Sequence, residues 1–137
     1  MALAGANRRD ATASAGDDGI LTTEEIAALD LRGVEWAVLS ACNTGVGEVQ
    51  VGEGGLGLRR AFQIAGARSL IMSLWPVADE PTRAWMYSLY QARLRLGLGT
   101  ADAVHHAHTT VLAARRARGE STHPFYWAGF VSAGDWH

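Results

Sequence analysis

The stretch "VEWAVLSACNTGVGEVQVGEGGLGLRRAFQIAGARSLIMSLW", residues 34–75, decides the fold. It opens on an apolar run rich in β-formers, "VEWAVLSA", and closes on a second, "RSLIMSLW", ended by Pro76. Continuous apolar runs without alternation are the pattern of strands buried on both faces. Between them "GLRRAFQIAG" reads as a short helix closed by Gly66 in the position a helix C-terminus favours. Strand, helix, strand is the unit from which parallel sheets are built.

Working outward, "LTTEEIAALD" carries a helix start: Thr22 and Glu25 have capping-box spacing, and Leu21 and Ile26 can staple across the cap. Residues 5–19 are small, polar and aperiodic, so residues 1–19 are expected to form a flexible segment and 20–137 the folded part. Downstream, Trp85, Met86, Leu89, Tyr90 and Leu94 fall near helical spacing from Asp79 to about Leu96. A second helix spans about Thr100 to Arg118, with Ala103, Val104, Ala107, Val111 and Leu112 inward and Arg115, Arg116 and Arg118 as a solvated end. "FYWAGFVSAG" reads as a third strand. Buried strands alternating with helices predict an α/β fold with a mainly parallel sheet covered on both faces.

Composition narrows the function. The chain has 137 residues, is 48% hydrophobic and carries a net charge of −2, which fits one globular domain and gives no field for nucleic acid or a membrane surface. All 12 basic residues are Arg, as in a GC-rich bacterial genome. Neither a signal peptide nor a membrane span is visible, and a single Cys forbids an internal disulfide, so a cytoplasmic location is expected.

That Cys is Cys42, at the end of the first predicted strand and followed by Gly45, Gly47, Gly52 and Gly54. In open α/β sheets, reactive groups collect beyond the C-terminal ends of strands. A thiol there is held by the sheet yet open on one side, whereas a structural Cys usually lies within a core run. Both readings stand on placement alone. Asp79, after the second strand, suits the cap of the helix that begins there. Trp75 is either a pocket wall or a packed residue. "GEGGLG" has G-x-G-x-x-G spacing but does not directly follow a strand, so it shapes a loop and holds no nucleotide. Asp102, His105 and His108 share one helix face with zinc spacing, but a further ligand is not evident and a polar face explains them. No metal and no cofactor are expected. His123, before Pro124, is expected to pin its loop by a hydrogen bond.

Three segments, "LDLRGVEWAVLSACNTGVGE", "GEGGLGLRRAFQIAGARSLIMSLWPVADEPT" and "HPFYWAGFVSAGD", resemble in order the C-terminal part of the CHAT family, caspase-like domains often attached to tetratricopeptide repeats. The resemblance implies a three-layer α/β/α sandwich, here without its N-terminal strands, related to caspases and separases. It implies a cysteine endopeptidase with Cys42 as nucleophile in an "A-C" context. It also implies a base from a His-Gly pair ending the preceding strand, and an oxyanion hole from the backbone N–H groups of the Cys and that Gly. "W-x-V-x-D" resembles the separase segment that receives a basic residue before the cut, which places Trp75 and Asp79, with Asn43 beside the thiol, among the substrate-binding candidates. Asn43 stands where relatives carry Asp or Glu, and its neutrality favours the thiolate.

No His precedes Cys42 in this chain. Relatives carry their His-Gly shortly before a segment like "LALAGAN", and this chain opens "MALAGAN". The expectation is that the base lies upstream of Met1 and that the isolated chain is inactive. The expected partners are a protein or peptide substrate and a tetratricopeptide-repeat or other regulatory protein. The alternative function is a catalytically inactive interaction or regulatory module.

Overall fold

The computed structural model describes residues 21–40 and 54–135. Thr22 caps α1, Thr23–Ala27, with both halves of the capping box formed: its hydroxyl accepts from Glu25 N–H and the Glu25 carboxylate accepts from Thr22 N–H. β1 spans Trp36–Leu39, α2 Gly54–Ala65, β2 Ser69–Ser73, α3 Asp79–Leu94, α4 Thr100–Ala117 and β3 Phe130–Gly134, with a 3-10 turn at Pro124–Tyr126. The described strands form one sheet in the order β1-β2-β3.

The register makes three layers. β1 and β2 are parallel, with Trp36 opposite Ser69 and Leu39 opposite Met72. Successive side chains leave opposite faces of a strand. Leu70 and Met72 therefore pack with Ile26, Ala61 and Phe62 of α1 and α2. Ile71 packs on the other face with Trp85, Leu89, Ala103, Ala107 and Phe130. β2 is buried along its whole length, as expected. β1 is only half-buried, against the expectation of burial on both faces, because it is an edge of the described sheet.

β3 runs antiparallel to β2, with Ser73 opposite Phe130 and Ser69 opposite Gly134. The cause is the pair of helices between them. One helix returns the chain to the starting edge for a parallel strand; α3 and α4 together bring it back to the edge it left. The predicted "FYW" part of this strand is instead the 3-10 turn and the residue after it.

Gly66 closes α2 with φ 103°, a conformation L side chains rarely adopt. A Cβ there would also lie 2.9 Å from Arg32 Cγ, where Leu31 N–H donates to Ala65 O. On α3 the inward residues are Trp85, Ser88, Leu89 and Ala92, whereas Tyr90 and Leu94, expected inside, are exposed. On α4 the inward set is Thr100, Ala103, Val104, Ala107, Val111 and Arg115. Arg115 is thus buried, not part of a solvated end as its neighbours suggested. Gly54–Gly57 belong to the start of α2, not to a loop.

Candidate functional site

Because β1 and β2 are parallel and in register, both end at one edge of the sheet. β3 begins at that edge, Phe130 opposite Ser73. Three connections therefore meet there: the segment after Leu39, the loop from Leu74 to Ala78, and the loop that ends at Gly129. Cys42 and Asn43 follow Leu39 by three and four positions in sequence and lie outside the described residues.

The two described loops are braced against each other. Leu74 N–H donates to Gly129 O at 2.8 Å, and Trp75 Nε1–H donates to Phe125 O at 3.2 Å. The Trp75 ring stacks on Phe125, centroids 6.4 Å apart and planes 13° apart. Trp75 is thus a half-buried pillar between loops. Gly129 is what permits the approach: a Cβ on it would stand 2.6 Å from Val77 Cγ1 and 3.4 Å from Trp75 Nε1. A narrow apolar crevice runs between the loops, walled by Val77, Pro81, Trp85, Phe125, Tyr126 and Phe130.

Asp79 is exposed and is the first residue of α3, not its cap. The cap is Ala78, whose side chain makes no cap bond, and Thr82 Oγ1 donates to Ala78 O at 2.7 Å. The Asp79 and Glu80 carboxylates complement the helix dipole and stay available to a cation from solvent.

His123 caps the 3-10 turn: its Nδ1 accepts from Phe125 N–H at 3.2 Å, the pinning bond expected of it. The Arg115 guanidinium, which sequence reasoning left in solvent, holds the same loop. Its Nε donates to Ser121 O at 2.6 Å, it pairs with Glu120 at 3.1 Å, and it lies 4.3 Å from the Tyr126 ring centre. The available sequence signal was its place one turn beyond Val111 on the buried stripe.

His108 and His105 diverge. His105 is exposed, whereas His108 turns inward, 5.5 Å from the Trp85 ring and 6.1 Å from the Trp127 ring. Burial pushes its pKa below the ordinary histidine value; a backbone hydrogen bond at Phe130 opposes this and nearby His105 adds to it. Its Nε2 and the Trp85 Nε1 are buried without a hydrogen-bond partner among the described residues. Among those residues no three His, Cys, Asp or Glu side chains gather as metal ligands, and no helix is long and apolar enough to cross a membrane.

Comparison with known proteins fits this arrangement. The family model described as "CHAT domain" matches residues 1–135. Tetratricopeptide repeat protein 28 of Mus musculus is 32% identical over 116 residues, 84% of this chain and 4% of that protein. The Homo sapiens protein of the same name is 30% identical over 115 residues, again 84% of this chain and 4% of its own length. The chain spans about 4% of the length of these relatives. No solved structure matches it. With an α/β/α core and a family match along almost its whole length, the chain belongs to the CHAT domain family.

Proposed function

We propose that this chain carries the nucleophile of a CHAT-type cysteine endopeptidase, with Cys42 as the attacking thiol and Asp79 as the carboxylate that selects a basic residue before the cut. The observation that supports this most is the parallel register of β1 and β2. The strand that leads into Cys42 and the strand that leads into Trp75-x-Val77-x-Asp79 end side by side.

In this mechanism the Cys42 thiolate attacks the peptide carbonyl and the C–N bond breaks. The departing amine takes a proton from the imidazolium that had accepted the thiol's proton. Water then hydrolyses the thioester, releasing the new carboxylate and restoring the thiol. In this reading the imidazole comes from the His-Gly pair that the family resemblance implies, while His123 Nδ1 accepts from Phe125 N–H and His108, on α4, packs against the indoles of Trp85 and Trp127.

An Arg-directed covalent peptide probe, applied to the domain extended upstream through that His-Gly, tests the reading. Labelling is expected on Cys42 and is lost in Cys42→Ala with the fold intact. Asp79→Lys is expected to lower the labelling rate of the Arg probe by about a hundredfold, the scale of one charge-assisted pair, with little change in stability. An extended, folded domain that the probe does not label would favour the second reading, a non-catalytic interaction module. The placement of His108 and His123 gives that reading its support within the described residues.

A further inference from the structure

α3 has two faces. Trp85, Ser88, Leu89 and Ala92 are buried against the sheet and α4. The outer face exposes large apolar groups: Tyr87 is 67% exposed and Leu94 77%, and Tyr90 at its border is 43% exposed with its ring also 6.1 Å from that of Trp36. Positions 87, 90 and 94 follow one another at three- and four-residue steps, so they form a stripe along the helix. The stripe is flanked by opposite charges, Glu80 in the first turn and Arg95 at the C-cap, with exposed Arg83 between Glu80 and Tyr87.

We propose that this stripe is a self-association surface on which two copies of the chain pack their α3 helices antiparallel. The charge order selects both the occupant and the direction. An isologous pair needs a surface complementary to itself after a two-fold rotation. A rotation centred near Tyr87 sets Glu80 of one copy beside Arg95 of the other at both ends of the contact. It also brings Arg83 alongside the Tyr90 ring of the other copy, where a guanidinium is attracted to the ring face. Parallel packing would set Glu80 against Glu80 and Arg95 against Arg95 and is opposed by repulsion. Glu80 also lies within electrostatic reach of Arg118 at the end of α4, so its pairing is shared, not exclusive.

Light scattering and sedimentation equilibrium on the 137-residue chain, over a range of concentration and salt, test this. The expected result is a dimer that weakens as salt rises. Leu94→Glu is expected to raise its dissociation constant by about tenfold or more while the thermal midpoint, measured at concentrations where both proteins are monomeric, stays put. Tyr87→Ser is a second variant with the same expectation, should Leu94→Glu fold poorly. Glu80→Arg and Arg95→Glu each weaken the dimer, and the double variant restores it. A chain that stays monomeric at every concentration overturns the proposal, as does a dimer indifferent to both stripe variants. A double charge variant no tighter than the singles overturns the antiparallel arrangement.

Discussion

His108 sits with its imidazole between the indoles of Trp85 and Trp127, with Nε2 buried and unpaired among the described residues. Burial favours the neutral ring, so its pKa in the folded protein is lower than in the unfolded chain, where it starts near 6.5. A group of this kind binds more protons when unfolded, so stability rises with pH through its titration range. The contribution is fully present above the unfolded value. It is lost progressively as pH falls below that value and becomes constant once pH lies below the depressed folded value. Urea midpoints measured from about pH 8 down to about pH 4 are expected to decline with this onset, and His108→Phe is expected to flatten that part of the curve. An equal slope in the variant would assign the pH dependence to other groups. The inward position of His108 was legible in "DAVHHAH": it lies four residues after Val104 and three before Val111, both buried. Residue type suggested a polar face, and periodicity outweighed it.

At the scale of elements, the loop from Glu120 to Gly129 does more than connect α4 to β3. Arg115 and His123 hold it from inside, Trp127 Nε1 donates back to Thr122 O at 2.9 Å, and Trp75 holds it to the loop after β2. The close approach depends on Gly129, where a Cβ would meet Val77 at 2.6 Å. Gly129→Ala is therefore expected to force the loops apart and cost about 1–3 kcal/mol, the usual scale of overpacking. Urea denaturation gives that loss. The same variant should quicken amide exchange at Leu74, which donates to Gly129 O. Unchanged stability and protection would mean that Val77 can move aside freely. Sequence reasoning found the strands, the helices and the His123 cap because each rests on neighbours in the chain. It missed the Trp75–Phe125 stack, the Arg115 anchor and the need for glycine at position 129, since the first and last join segments some fifty residues apart and periodicity is silent on such pairs. The direction of β3 was readable, because two predicted helices before it bring the chain back to the edge that β2 left, so β3 starts there and runs antiparallel. The cap assigned to Asp79 fell one residue off, as helix boundaries commonly do.

For the molecule as a whole, the sheet divides the described interior into two cores, and neighbouring residues of β2 serve different ones. Leu70 packs toward α1 and α2, whereas Ile71 packs toward α3 and α4, and both are buried almost completely. Either residue changed to Ala is expected to cost about 2–5 kcal/mol, combining lost burial with a cavity. The separation lies in where each cavity is felt. Native-state hydrogen exchange on Leu70→Ala is expected to show lost protection first in α1 and α2, while Ile71→Ala loosens α3 and α4. α3 and α4 pack closely and share one apolar cluster with Phe130, so they are expected to open together. Should both variants release the same amides equally, the layers would be a single cooperative unit and the two-core description would fail. If the layers do separate, the α3–α4 pair carries Asp79, the crevice wall at Trp85 and the exposed stripe on one cooperative unit. A second copy docked on α3 is then expected to raise amide protection across α3 and α4 together and to leave that of α1 and α2 unchanged.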